Sequence, residues 1–375
     1  MHILLLPSWY HTADKPWRGM FFRDQARALI RSGAHAGVAF VERKSFSTFS
    51  PAAAMRQRFQ IESQSEDGIP TVRMKAWGVF PQTMRGAMAW CWLTRRLVRE
   101  YVAIHGMPDV IHGHGALWGG YAAMLSARDL GLPYVITEHA SAVMTGEISA
   151  MKRAIVEDVY RNAAAVVAVS RALQRAIGDA EVIPNCVDEE FFRPVARRSR
   201  SPFTFLFAGD LVRSKRVDLL LRAFARGRAG ARLVIVGTGR QAYPHHDGVR
   251  FTGALDRAGV REEMWRANAL VLPSDYETFG VVLIEALATG LPVIATRCGG
   301  PQEIITRDDG ILVDCGDEAA LAGAMASIRR RTFSADRLAA SAAARFGYKA
   351  IAPRLWDVYQ SVVRRPPQRA AAARA

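Results

Sequence analysis

The chain has 375 residues, which is long for a single core and suits two domains of ordinary size. Half of the residues are apolar and 9% are aromatic, a balance typical of a globular protein that argues against a disordered one. The 50 basic and 35 acidic residues give a formal charge of +15. The positive residues are scattered without a basic and aromatic stripe or zinc-finger spacing, so the pattern favours attraction to anionic lipid over specific nucleic-acid binding.

The sequence offers no evidence of a membrane span or of disulfide bonds. No apolar run approaches the roughly 20 residues that a membrane-spanning helix needs, and residues 1–7 are too short for a signal peptide. The cysteines, at positions 91, 186, 298 and 315, have no metal-type spacing, so we expect reduced thiols. These observations predict a cytoplasmic protein, with peripheral contact to the inner face of the plasma membrane as a further expectation.

Along the chain, apolar runs typical of buried strands alternate with helical stretches, as a doubly wound parallel sheet requires. In the first half, a helix is predicted at 19–33 and strands at 2–6, 109–112, 134–137 and 165–169. In the second half, helices are predicted at 217–225 and 281–288, and strands at 203–207, 232–236, 269–272 and 292–295. A Pro- and Arg-rich linker at 192–202 divides a domain of residues 1–190 from one of residues 191–352. Residues 366–375 are predicted to be disordered.

The stretch 272–296 is the most informative part of the sequence. Residues 281–288 are apolar apart from Glu285, and Gly290 followed by Pro292 predicts the end of a short helix. A carboxylate in such a helix is costly unless something binds it, so we predict that Glu285 is buried and functional. Glu277 lies eight residues earlier, and about 12 Å of helical rise would separate the two carboxylates. That separation suits an extended nucleotide-sugar.

The residues between the two glutamates indicate how such a ligand would lie. We expect Glu277 to accept hydrogen bonds from sugar hydroxyls and Glu285 to accept both ribose hydroxyls. The backbone amides of Phe279, Gly280 and Val281 would face a diphosphate at the positive end of the helix dipole. Gly280 would let the backbone approach the phosphates. The structural alternatives are that Glu277 caps the helix and that Glu285 pairs with a core Arg.

The two glutamates in this setting resemble the signature of the retaining glycosyltransferases of family 4. Other segments agree in chain order: residues 183–188 (IPNCVD), the phosphate loop at 207–215 (FAGDLVRSK), the turn at 234–239 (VIVGTG) and residues 251–253 (FTG). The opening residues 6–10 (LPSWY), with Gly19 and Phe21-Phe22, are similar to members that assemble bacterial cell-surface polysaccharides. The resemblance covers residues 1 to about 359 and is more specific in the second half.

The resemblance implies the GT-B fold, in which two Rossmann-like, doubly wound α/β domains face each other across a cleft. The first domain would bind the acceptor and the second the nucleotide-sugar donor. A last helix, at about 353–365, would cross back onto the first domain. The implied reaction moves a sugar from a nucleoside diphosphate donor to a glycan or lipid-linked acceptor with retention at the anomeric carbon.

Lys215 follows a strand and a short loop and precedes a helix, so its ammonium can reach a diphosphate held at the opposite helix end. One such pair at about 4 Å near a protein surface contributes roughly 4 kcal/mol before desolvation. The family's phosphate-binding Arg falls on Asp210, a departure that leaves the usual leaving-group contact in question. Arg213 is the expected substitute. With no Asp-x-Asp motif in the chain, we expect no metal ion and no cofactor.

Two positions in the first half complete the predicted site. His139 follows a strand and resembles the family's histidine that faces the donor sugar, where it would bind a hydroxyl or orient the acceptor, with Glu138 as its candidate partner. Gly19 matches the place where backbone amides approach the diphosphate. His112 and His114 also end a strand, but no carboxylate or Cys is spaced to complete a metal site with them.

Two alternatives to the transferase remain open. Gly237-x-Gly239, with Ala242 and Asp256 downstream, fits the fingerprint of a dinucleotide-dependent oxidoreductase. Pro244 interrupts the helix that this fingerprint needs, so contact with a nucleobase suits the loop better. Asp210 also keeps open a non-catalytic sugar-binding protein on a degenerate transferase fold.

The acceptor side is less specific. Residues 43–49, 55–59 and 77–99 combine basic and aromatic side chains, as a surface for a lipid-linked acceptor would. Alternatively, Met88, Trp92 and their apolar neighbours belong to the core.

Overall fold

The computed structural model describes residues 1–13, 15–44, 52, 59–77, 83–196, 201–227, 230–239, 241, 243–244 and 246–364. The chain divides into two compact units. Unit 1 holds Met1–Ala168, Ile177–Ile183 and the described residues from Ala352 onward, and unit 2 holds Val169–Ala176 and Pro184–Ile351. The short segment Val169–Ala176 therefore joins unit 2, although it lies before the boundary near residue 190 expected from the sequence.

Unit 1 contains a mixed sheet with the strand order β3-β4-β2-β1-β5-β6-β7-β8. Its strands are β1 (His2–Pro7), β2 (His35–Lys44), β3 (Ile61–Glu66), β4 (Ile69–Trp77), β5 (Val110–His114), β6 (Tyr134–Glu138), β7 (Ala165–Ala168) and β8 (Glu181–Val182). All neighbours pair in parallel except β3 and β4, which form an antiparallel hairpin. From β1 the chain first adds strands on the β2 side of the sheet and later, from β5 onward, on the other side. The loops after β1 and β5 therefore lie at a topological switch point.

The helices of unit 1 are amphipathic or short and accompany this sheet. They are α1 (Met20–Arg31), α2 (Met84–His105), α3 (Tyr121–Leu130), α4 (Ser141–Thr145) and α5 (Ala150–Asn162). Strands β2, β3, β4 and β8 were not predicted from the sequence. The turn between β3 and β4 is Asp67-Gly68, with both residues at positive φ, which is a strong hairpin signal that was available in the sequence.

Unit 2 contains a fully parallel sheet with the strand order β11-β10-β9-β12-β13-β14. Its strands are β9 (Phe203–Ala208), β10 (Ala231–Val236), β11 (Val249–Gly253), β12 (Ala269–Leu272), β13 (Val293–Thr296) and β14 (Gly310–Val313). The central strands read as continuous apolar runs because a parallel sheet is covered on both faces. Here the connections reverse between β9 and β12, which is where ligands bind in open α/β sheets.

The helices of unit 2 lie before, between and after these strands in the chain. They are α6 (Arg171–Ile177), α7 (Val217–Gly227), α8 (Arg257–Arg266), α9 (Val281–Ala288), α10 (Pro301–Ile304), α11 (Glu318–Ile328) and α12 (Ala335–Phe346). The helix predicted at 281–288 has the predicted bounds. Phe192, at the start of the expected linker, is fully buried and so belongs to a packed segment.

The last helix, α13 (Tyr348–Arg364), begins five residues before the predicted start at Pro353. Pro353 lies inside it, where it removes one backbone N–H without ending the helix. From Ala352 onward the helix belongs to unit 1. There the Tyr359 hydroxyl lies 2.7 Å from Nδ1 of His112.

Several sequence-based expectations fall wholly or partly outside the described residues: the basic and aromatic segments at 45–49, 55–58 and 78–82, the arginines at 197, 198 and 200, and the tail at 366–375. Among the residues that are described, no helix is both long and apolar enough to cross a membrane. The cysteines are free thiols; Cys315 is exposed and the others are buried.

Candidate functional site

The loops that follow β9 and β12 meet at the switch point of unit 2. The backbone amide of Asp275 donates to the Ser214 carbonyl at 2.8 Å, and the Arg216 guanidinium donates to the Asp275 carboxylate at 2.8 Å. Arg216 has a φ of 49°, a left-handed conformation that is uncommon for a residue with a side chain. These contacts hold the two loops side by side, although they lie about sixty residues apart in the sequence.

The same loops bring together two residues of the predicted site, Lys215 and Glu277. Nζ of Lys215 donates to Oε1 of Glu277 at 2.5 Å, and the Ser274 hydroxyl donates to the same oxygen at 2.7 Å. Glu277 is only 8% exposed. No hydrogen bond to its other oxygen, Oε2, is found within the described ranges, so that oxygen remains able to accept one. The helix-capping alternative for Glu277 is wrong, because the N-cap of α9 is Gly280, which has no side-chain cap.

The backbone around Glu277 is held as firmly as its side chain. Its amide donates to the Cys298 carbonyl at 3.1 Å, and its carbonyl accepts from the Gly300 amide at 2.9 Å. A Cβ atom on Gly300 would lie 2.3 Å from the backbone of Phe279, so only glycine fits there. The loop before α9 is therefore a rigid segment that fixes the direction of the Glu277 carboxylate.

Glu285 differs from its prediction. It is half-buried, not buried, and the partly exposed residues Val281 and Val282 lie on the same side of α9. The predicted separation of about 12 Å also used too much helical rise, because the helix begins only at Val281. Glu277 is thus the buried carboxylate of the pair, and Glu285 is the more accessible one.

The start of α9 leaves backbone donors available. Among the described residues, no hydrogen-bond acceptor is found for the amides of Phe279, Gly280 or Val281. Gly280 is left-handed with a φ of 99°, which turns the chain into the helix. Free amides at a helix start, with the dipole behind them, attract anions, and the Lys215 ammonium belongs to the adjoining loop. This geometry suits a diphosphate.

The positions around Lys215 are more open. Arg213 and Asp210 are both exposed. In the part of the chain that the structure describes, neither side chain has an ion-pair partner. The guanidinium of Arg213 is therefore able to meet an anionic ligand without first breaking a salt bridge.

Gly237 and Gly239 have a packing role in unit 2. A Cβ atom on Gly237 would lie 1.9 Å from the Gly209 carbonyl oxygen, and one on Gly239 would lie 1.9 Å from that of Leu211. The amide of Leu211 donates to the Thr238 carbonyl at 2.9 Å. The two glycines therefore let the loops after β9 and β10 touch through their backbones. Contact of these glycines with a donor remains a prediction.

The dinucleotide fingerprint lacks its helix in the described part of the segment. Residues 237–239, 241, 243–244 and 246–248 form no helix before β11 begins at Val249. Arg240, Ala242 and His245 lie outside the described residues. Without a helix start next to the glycines, a pyrophosphate has no set of free amides to bind.

In unit 1, His139 is buried at the end of β6. The ring of His139 does not pair with Glu138, which was the partner proposed from the sequence. The Glu138 carboxylate accepts the backbone amides of His139 and Ala140, both at 2.7 Å, together with the Ala116 amide and the Tyr160 hydroxyl. Glu138 therefore shapes the loop that carries the histidine. The ring of His139 instead bonds another histidine, with its Nε2 lying 3.2 Å from Nδ1 of His114.

The rings of His112, His114 and His139 form a cluster at the carboxyl ends of β5 and β6. The centroids of His112 and His114 are 4.2 Å apart, and those of His114 and His139 are 5.4 Å apart. Burial lowers the pKa of His112 to about 3. Burial and the neighbouring imidazoles also lower the pKa values of His114 and His139, so all three rings are neutral near pH 7. No group of three or more metal-binding side chains is found in the described part of the chain.

Gly19 is the left-handed N-cap of α1, with a φ of 68°. A Cβ atom there would lie 2.9 Å from the Trp9 carbonyl oxygen and 3.0 Å from the Phe22 ring. Phe22 in turn packs against both His114 and His139, with ring centroids 4.8 and 5.0 Å away. The lack of a side chain at Gly19 thus leaves room for Phe22 against the histidine cluster, and contact of Gly19 with a diphosphate remains a prediction.

Sequence reasoning did not identify Ser274, Gly300 or the bond between His114 and His139. Ser274 precedes Glu277 by three residues, a local spacing that could have suggested the contact. Gly300 and His114 had no such signal, because their partners are distant in the sequence.

Sequence profiles of two families match the chain. The profile described as "Glycosyl transferases group 1" matches residues 202–330, and the one described as "Glycosyltransferase Family 4" matches residues 19–191. The first lies within unit 2 and the second mainly within unit 1.

Relatives and solved structures agree with these profiles. TuaC of Bacillus subtilis, named as a teichuronic acid biosynthesis glycosyltransferase, is 28% identical over 87% of this chain and 88% of its own. Glycogen synthase of Mycobacterium tuberculosis is 32% identical over 70% of this chain and 71% of its own. Sucrose-phosphate synthase of Thermosynechococcus elongatus superposes with a TM-score of 0.75 at 21% identity over 96% of this chain and 99% of its own. HepE of Anabaena, in complex with UDP and glucose, gives 0.71 at 20% identity over 96% and 100%.

Proposed function

This chain belongs to the group 1 glycosyltransferases of the family 4 type and has their GT-B fold, and we propose that its donor is a nucleoside diphosphate sugar. The proposed reaction transfers the sugar to a glycan or lipid-linked acceptor with retention at the anomeric carbon. The complexes of HepE with UDP and glucose and with UDP-glucose support the choice of donor class.

The observation that carries the proposal is the Lys215–Glu277 ion pair beside the free amides at the start of α9. In the ligand-free protein, Glu277 neutralises Lys215. A bound diphosphate would compete for the ammonium and accept the amides of Phe279, Gly280 and Val281. Glu277 would then be able to accept hydrogen bonds from sugar hydroxyls, beginning at its unoccupied Oε2.

The remaining residues would extend this recognition along the donor. Arg213, which is exposed and has no ion-pair partner among the described residues, would add charge at the leaving phosphate in place of the residue replaced by Asp210. Glu285, half-buried on α9, would accept the ribose hydroxyls. His139 would meet a sugar hydroxyl from unit 1. The protein would thus act by positioning and charge stabilisation, while the leaving diphosphate assists the incoming hydroxyl on the same face.

We test donor binding by calorimetry with UDP, GDP, ADP and NAD on the wild-type protein and on Glu285→Ala. One nucleoside diphosphate should bind, and the variant should lose on the order of tenfold in affinity because charged hydrogen bonds to the ribose disappear. Glu318→Ala, which removes the salt bridges to Arg222 and Arg226 at the start of α11, is the matched control and should bind as the wild type does. Binding of NAD alone would favour the oxidoreductase.

Retention is tested on the first product formed. With an α-linked donor such as UDP-glucose and an alcohol acceptor, proton NMR of the product should show an α-glycoside. A β-glycoside as the first product contradicts retention. Sugar binding without transfer or donor hydrolysis would instead support a non-catalytic protein.

Metal independence is a separate expectation. Lys215, Arg213 and the amides of α9 supply the positive charge that a divalent cation would supply elsewhere. Turnover should therefore survive EDTA. Loss of turnover in EDTA and its recovery with magnesium or manganese would contradict this part of the proposal.

Peripheral contact with an anionic membrane is favoured by one face of α2. Arg85, Trp92, Arg96 and Arg99 recur at heptad-like spacing along this helix, and all four are exposed, Trp92 by 60%. The prediction that Trp92 belongs to the core is therefore wrong. Arginines near an anionic surface contribute about 1 kcal/mol each, and an indole favours the lipid interface. This face would bring a cytoplasmic enzyme to a lipid-linked acceptor on the inner leaflet.

Vesicle flotation tests this contact. The protein should float with vesicles that contain phosphatidylglycerol and remain soluble with phosphatidylcholine alone. Arg96→Glu should abolish flotation, whereas Arg337→Glu, an equal charge change on an exposed position of unit 2, should not. Protein that stays soluble with both vesicle types at low salt would rule out the membrane contact.

A further inference from the structure

The His114–His139 bond in unit 1 restricts how both rings can be protonated. Nδ1 of His114 lies 3.2 Å from Nε2 of His139, so one nitrogen carries the proton and the other accepts it. The remaining nitrogens, Nε2 of His114 and Nδ1 of His139, are buried and have no hydrogen-bond partner among the described residues. The pair is therefore a two-ring chain with one free nitrogen at each end.

Neutral rings leave only two arrangements for this chain. If His139 donates, both rings are Nε2–H tautomers, and if His114 donates, both are Nδ1–H tautomers. Burial keeps the two rings neutral by lowering their pKa values. A neutral histidine side chain intrinsically prefers the Nε2–H form, so the first arrangement has both rings in their preferred state.

Among the described residues, the rings that pack against His114 give its Nε2 no hydrogen-bond partner. Its ring packs against the rings of His112 and Phe22, at centroid distances of 4.2 and 4.8 Å. His112 is not available to form a hydrogen bond with Nε2 of His114, because its own ring nitrogens bond Thr137 and Tyr359, each at 2.7 Å.

We propose that His114 is a positioning residue that holds His139 in the Nε2–H tautomer, so that the bare Nδ1 of His139 accepts a hydrogen bond from one hydroxyl of the bound sugar substrate. The sugar part of this inference rests on the proposed function, and the tautomer part does not. His139 would then discriminate for a substrate group that donates at this point and against one that can only accept.

Nitrogen-15 NMR of the full-length protein labelled at histidine tests the tautomer directly. His139→Gln assigns the resonances of that ring. In the ligand-free wild type, both His139 and His114 should show a protonated Nε2 and a bare Nδ1. A protonated Nδ1 on His139 would overturn the proposal.

Two substitutions of His114 distinguish a role in positioning the His139 ring from a role in packing alone. His114→Asn keeps an oxygen near the position of Nδ1 that can accept from His139, so the tautomer should be retained. His114→Leu removes the acceptor, and His139 should then populate both tautomers. Tyr359→Phe, which alters only the bond to His112, should leave the His139 tautomer unchanged. An unchanged tautomer in His114→Leu would show that His114 does not set it.

Addition of UDP-glucose tests the substrate contact. If it binds, Nδ1 of His139 should shift upfield, as a nitrogen does when it accepts a hydrogen bond. Binding without a shift at Nδ1 overturns the hydroxyl contact. If UDP-glucose does not bind while both rings are Nε2–H, the proposed donor is wrong and the positioning role of His114 stands.

Discussion

Nζ of Lys215 lies 2.5 Å from Oε1 of Glu277, although 62 residues separate them in the sequence. The pair joins the loops after β9 and β12 at the switch point of unit 2. Glu277 is nearly buried, while the Lys215 side chain is about a quarter exposed. Each residue neutralises the charge of the other until a bound ligand takes the place of one partner in this ion pair.

Lys215→Met should destabilise unit 2 by about 2 kcal/mol, because it leaves a buried carboxylate without its cation. Glu277→Gln added to it should recover much of this loss, since the amide can still accept from Ser274. Neither variant should bind a nucleoside diphosphate as the wild type does. Calorimetric unfolding of the single and double variants measures the coupling. Additive losses of stability would show that the ion pair is not energetically significant.

Gly237→Ala should cost about 3 kcal/mol or more, because its Cβ would lie 1.9 Å from the Gly209 carbonyl oxygen. The matched control is Gly323→Ala in α11, where a Cβ meets nothing within 4 Å. That change should stabilise the helix by about 1 kcal/mol. Thermal unfolding followed by circular dichroism compares the two. Equal melting temperatures of the two variants would mean that the loops after β9 and β10 can move apart at little cost in free energy.

Stability should fall as the pH drops below 6.5. Burial lowers the pKa of His112 from 6.5 to about 3, so in this window the unfolded chain binds a proton that the folded protein does not. His112 alone should contribute a slope of about 1.4 kcal/mol per pH unit, and His114 and His139 act in the same direction.

Urea unfolding followed by tryptophan fluorescence measures this slope, because seven of the eight tryptophans belong to unit 1. His112→Gln should reduce the slope, whereas His35→Gln, at an exposed position, should leave it unchanged. A stability that is constant from neutral pH to well below 6.5 would contradict the neutral cluster.

Tyr160→Phe should destabilise unit 1 more than Tyr134→Phe. The Tyr160 hydroxyl donates to the buried Glu138 carboxylate and the Tyr134 hydroxyl to the Val159 carbonyl, both at 2.7 Å. Hydrogen bonds to charged groups contribute about 1.5–3 kcal/mol, against about 1 for neutral pairs. Urea unfolding of both variants gives the comparison. A larger loss in Tyr134→Phe would mean that the three backbone amides already satisfy Glu138.

The elements near the site follow from local sequence rules to different degrees. The helix Val281–Ala288 has the predicted bounds, because its apolar run and the glycine after it are local signals. The predicted burial of Glu285 was wrong, since an apolar composition does not reveal which side of a short helix is partly exposed to solvent. Likewise, Pro353 suggested a helix start, but α13 tolerates it after five earlier residues.

The alternation of strands and helices, the glycosyltransferase motifs and the presence of Glu277, Lys215 and His139 could be read from the chain alone, because periodicity and motif spacing are local properties. The pairing of Lys215 with Glu277 and of His114 with His139 could not. Each pair forms because parallel strands that are distant or neighbouring in sequence end at the same edge of a sheet. Strand order places their loops side by side, and packing then sets the distances between side chains.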